Sequence, residues 1–481
     1  MERDCNEIKV RSPKRGVEIV CAALFIVALA FFGVWLFTRE GLTVYGILSA
    51  ALMLGIFTLS LGLAVPRAFE FFKGNHKSSN YRTGDRSEKR NRYSKPIRII
   101  IAVLCARIFT VILAYVFAML FTKCHGSIFN TLEVIWNKPG IDAEYYFQIA
   151  ENWYSTETSQ MYNIVFLPLY PILIRLFNLL FNNSFISASL INTICSCAAS
   201  VVLYRLALMD TGRRSAKFAV VFAFTIPSAI FFIAPLGEAL FLLLSAATLL
   251  ALRKRRFPLA ALFGALASFS RLSGILLVVP FIAEAVSYAV EIRRENGKKL
   301  LAKNLLIISG SLVLFFAGSF AYLLINKLLW NDWFKFIEFK RDVWHQGFDF
   351  FFGSFSQHTD LFINTIGTNN AEAFGLCLPN ILFMSGALAV FAFSARTLRT
   401  SYTLYFAAYF AAACGASWLL SAPRYMAALA VLPIALTHLC EGRDDGVALS
   451  RARFKTSIVT VFFIIGQVFY LIMYIINYNV F

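Results

Sequence analysis

Almost nothing in this chain is left over to form a separate soluble catalytic domain. Asp, Glu, Lys and Arg make up only 15% of its 481 residues, whereas 59% are hydrophobic and the mean hydropathy is +0.67. A glycine-rich nucleotide loop is lacking, and no cluster of His, Cys and carboxylates has metal-ligand spacing, so neither a nucleotide nor a metal cofactor is expected. The nine cysteines fall mostly within apolar runs and give redox chemistry no support. Cys195 and Cys197, two residues apart, would point to roughly opposite sides of a helix and make a poor metal pair. Cys124 and Cys377 flank polar loops and would pair only if both faced an oxidising compartment. No small-residue cleavage site follows the first apolar run, Val17 to Phe37, which therefore reads as a span rather than a cleaved leader. Acidic residues are also scarce, 27 against 45 basic ones, but the resulting net charge of +18 is no nucleic-acid signature. The Lys and Arg lie in short loops between apolar runs, where they act as topological signals.

What is present is a succession of apolar runs of about 17 to 27 residues, long enough to cross a bilayer as helices. The expected class is an all-α polytopic membrane protein. Arg3, Lys9, Arg11, Lys14 and Arg15 set the N-terminus in the cytoplasm, and runs 17–37 and 43–64 form a first hairpin. This gives an N-terminal hairpin over 1–66, a basic cytoplasmic linker over 67–96 and the main membrane domain over 97–481. The linker could dock on anionic lipid, although a solvated topology signal is the blander reading. Run 97–121 delivers residues 122–163 to the outer face. For Arg213, Arg214 and Lys217 to return inside, run 164–181, with Pro168, Pro171 and Arg175, must lie in the outer interface or dip partway. The stretch 257–289 is expected as two short helices meeting at Arg271, and Trp330 to Gly375 as a long outer loop. The count comes to about thirteen spans with the C-terminus outside.

This topology, built from Lys and Arg in loops, places Asp142, Glu144, Glu238, Arg271, Trp344, His345 and Arg424 at one membrane boundary. Charged groups near hydrocarbon cost about 2.5–3.5 kcal/mol each, so they persist where water or a ligand compensates them. Residues 142–154 fit a short amphipathic helix, with Tyr146, Ile149, Ala150 and Trp153 at i, i+3, i+4, i+7. Asp142 lies one turn before Tyr146 on that stripe, facing the bilayer. It either caps the helix by accepting a backbone N–H or serves as a catalytic carboxylate. Bland readings stand beside the others: Glu238 as a hairpin-tip residue, Arg271 as an interfacial anchor, Arg424 and Tyr425 as a snorkelling pair, His345 as a surface histidine. Their shared side is the stronger signal.

From about residue 97 onward the chain resembles the phosphatidylinositol-glycan class V (PIG-V) family of membrane mannosyltransferases, in particular bacterial-type members. The resemblance rests on Asp142 to Tyr154, on Phe166-Leu167-Pro168-Leu169-Tyr170-Pro171, and on Pro227 to Leu243 with Glu238. It extends to Ser270-Arg271-Leu272-Ser273-Gly274 and Pro423-Arg424-Tyr425. The family's Trp before the Asp is Ile141 here, its Gly before the last Tyr is Trp153, its Ser before the Glu is Gly237, and its Pro after the Arg is Leu272.

The resemblance implies a GT-C glycosyltransferase fold and a polyprenyl- or dolichyl-phosphate sugar donor, mannose by family. It also implies a glycolipid or other glycan acceptor, an extracytoplasmic or lumenal active site, and inversion at the anomeric carbon. Asp142 would take the acceptor proton. Arg271 and Arg424 would stabilise the departing phosphate, and Tyr145, Tyr146 and Trp153 would pack on sugar or isoprenoid. Glu238 would orient the acceptor or hold an arginine. Glu144, Trp344, His345 and Tyr425 complete the expected binding set. The bacterial character of the motifs points to a plasma membrane; in a eukaryote the site would be the endoplasmic reticulum. A partner subunit is neither implied nor excluded. Two competitors are a lipid-linked sugar flippase, which would need polar residues through the bilayer depth and repeat symmetry, and a glycan ligase.

Overall fold

The computed structural model describes residues 14–74, 96–122, 126–137, 141–295, 297–440 and 446–476. Helices account for the regular structure of these residues. Helix α1 (Lys14–Thr38) and helix α2 (Val44–Phe72) form the N-terminal hairpin, with Thr43 capping α2 by accepting the Gly46 N–H at 3.0 Å. Next come α3 (Pro96–Phe121), the short α4 (Ile128–Trp136) and α5 (Asp142–Asn152). Helix α6 (Leu169–Phe181) turns at Asn182 into α7 (Ser184–Ala207). Helices α8 (Arg213–Thr225), α9 (Glu238–Arg253), α10 (Phe257–Ser270) and α11 (Val278–Glu295) follow. Then come α12 (Gly297–Phe315), α13 (Ala317–Trp330), α14 (Lys335–Trp344), α15 (Phe351–Thr365) and a single turn, α16 (Asn370–Glu372). The chain ends with α17 (Leu378–Ser394), α18 (Thr400–Ala413), α19 (Ala422–Ala428), α20 (Leu432–Cys440) and α21 (Gly446–Ile475).

Among the described residues, eight helices are long and apolar enough to cross a membrane, or nine if α19 and α20, bent by 77° at their break, count as one. The expected count of about thirteen spans is not reproduced. Several apolar runs fold as short or broken helices that lie within the bundle. Run 217–234 breaks at Pro227, where the ring removes a backbone donor and a 3-10 turn follows. Run 164–181 becomes a 3-10 turn (Met161–Val165) and the 13-residue α6. At 1.5 Å per residue α6 is about 20 Å long, short of the roughly 30 Å hydrocarbon layer.

Two further expectations change. The long loop from Trp330 to Gly375 is mostly helical, because Phe336, Phe339 and Val343 carry a helical apolar period and build α14. Helix α2 runs past the expected hairpin boundary at 66 to Phe72 through Pro66, and Arg67 Nη1 donates to the Arg396 carbonyl at 2.9 Å. The rest of the basic linker, residues 75–95, lies outside the described residues, as does Cys124.

The first hairpin is built into the bundle. Trp35 is 2% exposed and packs edge-on against Phe352 at 5.6 Å, and Phe57 meets Phe351 at 4.8 Å. Arg39 pairs with Asp349, and Thr43 Oγ1 donates to Asp360 at 2.5 Å. The expected meeting of two helices at Arg271 is present. Helix α10 stops at Ser270, Arg271 is extended, and a 3-10 turn leads into the 272–294 span. Gly274 permits that reversal, since a Cβ there would overlap the Ala267 carbonyl.

Candidate active site

Helix α5 places the central carboxylate. Ile141 is the extended residue before it and makes no side-chain cap, so Asp142 does not cap the helix but sits in its first turn. An acidic group there is favoured by the helix dipole. The stripe carrying Ala143, Tyr146, Ile149 and Ala150 is buried against the protein, so Asp142 faces the bundle interior rather than the bilayer.

There Asp142 meets a cluster drawn from four separate elements. Arg424 Nη2 donates to Asp142 Oδ2 at 2.5 Å, and Arg424 Nε donates to Glu238 Oε1 at 2.8 Å. Arg271 Nη1 donates to the same Glu238 oxygen at 2.5 Å. Asp142 is 29% exposed, Arg271 12%, Arg424 10% and Glu238 not at all, so the row runs from a partly open carboxylate to a closed one. Two valences remain unfilled. Glu238 Oε2 is buried with no hydrogen-bond partner, and Asp142 Oδ1 accepts no bond among the described residues. Arg271 gives one of its five N–H groups to Glu238, which leaves donors for an incoming oxyanion.

Local sequence fixes each member. Glu238 opens α9 after the Pro235-Leu236-Gly237 turn, and Arg271 occupies the break between two helices. Arg424 lies on α19, whose entry is irregular. His358 Nε2 (2.8 Å) and Asn380 Nδ2 (3.2 Å) meet the Leu419 carbonyl, and Asn380 Oδ1 accepts from the Ala422 N–H at 2.7 Å. Both side chains are buried, so they clamp the unwound segment that presents Arg424. The Tyr425 ring lies under Arg271 at 5.5 Å, and Arg424 sits over Phe231 at 5.6 Å.

An aromatic wall adjoins the cluster. Tyr145 stacks on Phe166 at 4.6 Å, and Trp344 meets both at 5.9 and 5.8 Å. Tyr146 packs edge-on against Phe166 and Tyr170. Burial, then the nearby Asp142 carboxylate, pushes the Tyr146 phenol above its ordinary range, so it remains a hydrogen-bond donor. Burial and then Glu144 raise Tyr145 as well.

The structure thus brings together Asp142, Glu238, Arg271, Arg424, Tyr145, Tyr146, Tyr425 and Trp344. It does not do so for two others. Glu144 points to the opposite face of α5, where it accepts from Gln148. His345 is exposed at the end of α14 in a left-handed conformation (φ 51), and its carbonyl accepts from Ser417. Trp153, expected to pack on substrate, ends α5 at φ 67, ψ −165, a conformation that glycine adopts far more readily than tryptophan.

Sequence reasoning missed Lys340. It is half-buried on α14, and its amine lies within electrostatic reach of Arg271 and Asp142. Burial, then Arg271, pulls its pKa down, and Asp142 partly offsets this. The helical apolar period of 335–344 is the signal that could have found it. The segment was expected within the long outer loop from Trp330 to Gly375, so its helical period was not considered. Among the described residues no group of three or more His, Cys and carboxylates could hold a metal ion.

No protein-family model matches this chain, and no curated protein matches it. Among solved structures, the chain is similar to ArnT from Cupriavidus metallidurans, determined bound to undecaprenyl phosphate. That alignment covers 73% of this chain and 76% of that one, at 12% identity and a TM-score of 0.36.

Proposed function

We propose that this chain is an integral-membrane glycosyltransferase of the GT-C type. It would move a hexose, mannose by the motif resemblance, from a polyprenyl- or dolichyl-phosphate donor to a hydroxyl of a glycolipid or extracytoplasmic glycan. The observation that carries the reading is Asp142: one oxygen is fixed by Arg424 while the other is unbonded and partly open, beside two arginines shared with a buried glutamate.

An acceptor hydroxyl is a weak nucleophile until its proton leaves. Asp142 Oδ1 takes that proton as the hydroxyl oxygen bonds to the anomeric carbon and the bond from that carbon to the lipid phosphate breaks. General-base assistance of this kind contributes roughly 10²–10⁴ in rate. The leaving phosphate gains charge, and charge counting shows what meets it. Asp142 and Glu238 balance Arg271 and Arg424, so the four together are neutral, and Lys340 tips the cluster to net positive. Lys340 and the remaining N–H groups of Arg271 would hold the phosphate. Glu238 positions both guanidiniums rather than touching the reacting atoms. Tyr145, Phe166 and Trp344 offer aromatic faces to the sugar or isoprenoid.

The test is a panel of synthetic polyprenyl-phosphate sugars offered to purified protein in vesicles. Consumption of the mannosyl donor, with mannose appearing in a new glycoconjugate, is expected. Unchanged donors that instead switch leaflets would replace the transferase with a flippase.

A further inference from the structure

A polar cavity lies on the face of α5 that turns away from Asp142. It is a cleft of about 430 Å³, several times the space an ion needs. Glu144, Gln148 and Glu151, at i, i+4 and i+7, form one wall, Glu133 of α4 stands opposite, and Asn178 and Ser184 close the floor.

The walls are held in place from behind. Buried Asn163 donates to Gln148 Oε1 at 3.2 Å, and Gln148 Nε2 donates to Glu144 at 3.3 Å. Ser187 donates to Asn178 Oδ1 at 2.6 Å, Asn178 Nδ2 donates to Ser184 Oγ at 2.9 Å, and Ser184 donates to Glu151 Oε1 at 2.6 Å. Glu151 keeps its second oxygen, and the Glu133 carboxylate accepts no bond among the described residues. Phe147 and Phe185 supply apolar surface. Planar carboxylates and carboxamides match the paired donors and acceptors of adjacent hydroxyls, and aromatic edges match the C–H face of a sugar ring. Among the described residues three carboxylates line the cleft and no Lys or Arg does, which disfavours an anionic guest.

We infer that this cleft is a second carbohydrate-binding site, for neutral or amine-bearing sugar units and not for uronates or phosphosugars. That the bound sugar is the non-reacting part of the acceptor rests on the transferase reading; the binding itself does not.

The test is ligand-observed saturation-transfer NMR on the full-length protein in nanodiscs, with mannobiose, a glucosamine dimer and digalacturonate as probes. Mannobiose and the glucosamine dimer are expected to bind, and digalacturonate at least tenfold more weakly. Asn137→Trp, at an exposed lining position, should weaken binding at least tenfold by filling the cleft. The double variant Glu133→Gln/Glu151→Gln keeps the shape and should abolish the discrimination against digalacturonate. Asp142→Asn should leave binding intact, which separates this site from the transfer chemistry. No binding of either favoured probe, equal binding of digalacturonate to the wild type, or binding indifferent to both cleft variants would overturn the assignment.

Discussion

Two buried glutamates are each gripped by two arginines: Glu238 at the start of α9, and Glu284 of α11, held in part by Arg255 just past the other end of α9. They are finished differently. Glu284 accepts from Arg399 Nε (2.6 Å) and Ser401 (2.6 Å) through Oε1, and from Arg255 (2.8 Å) and Arg399 Nη2 (2.9 Å) through Oε2. Glu238 gathers both arginines on one oxygen and leaves the other without a partner, and Asp142 beside it is half satisfied and partly open. A buried polar group left unsatisfied costs about 1–3 kcal/mol. A network that saturates every lone pair serves the fold, whereas one that leaves valences open next to an opening is set for a ligand. The contrast singles out the Glu238 cluster as the candidate site on grounds independent of motif resemblance.

The largest expected effect lies at the saturated cluster. Glu284→Ala should cost about 3–5 kcal/mol of stability, because Arg399 and Arg255 lose their shared anion in a buried setting. Denaturation in mild detergent would show it, while transfer per folded molecule stays near wild type. A stable Glu284→Ala protein with lost transfer would erase the distinction between the two clusters. Glu238→Gln should do the reverse, lowering transfer on the order of a hundredfold through misplaced guanidiniums, with a smaller loss of stability than at Glu284.

Lys340→Gln should raise the donor KM about tenfold, roughly 1.4 kcal/mol, with a smaller change in kcat. Because burial and Arg271 lower the Lys340 pKa, the amine loses its proton at a lower pH than an ordinary lysine, and donor affinity should fall on the alkaline side. Lys340→Arg should move that alkaline limb upward; an unmoved limb would take Lys340 out of phosphate binding.

The smallest effect concerns backbone fit beneath the site. With Trp153 at φ 67, ψ −165, Trp153→Gly should be more stable than Trp153→Ala by about 1–3 kcal/mol, since both lose the ring but only glycine accepts the conformation freely. Paired melting curves would measure the difference.

Charge in an apolar chain made much of the site legible. Asp142, Glu238, Arg271 and Arg424 stand out because a charge in so apolar a chain demands compensation, and the structure brings the four together as the loop charges led one to expect. The break at Arg271 was readable because 257–289 is too long for a single span. Other features depend on tertiary context. Hydropathy does not say whether an apolar run folds as one helix, so Pro227 and the α19–α20 bend reduced the span count. Asn380 and His358, which clamp the irregular entry to α19, are polar residues of helices with no motif around them. Lys340 was hidden in a charged segment whose amphipathic period went unread. Arg107 sits inside a span where charge is expensive, yet it donates to Ser196 (3.0 Å), the Phe232 carbonyl (2.7 Å) and Thr193 (3.2 Å). Its buried charge is met by these acceptors from α7 and the Phe232 turn.

The most direct test of the central claim is mannose transfer from synthetic polyprenyl-phosphate mannose by purified Asp142→Asn beside the wild type, each checked for folding by its melting curve. The account predicts an intact melting transition and a rate reduced by roughly 10²–10⁴. A folded Asp142→Asn protein that transfers mannose at the wild-type rate would contradict it.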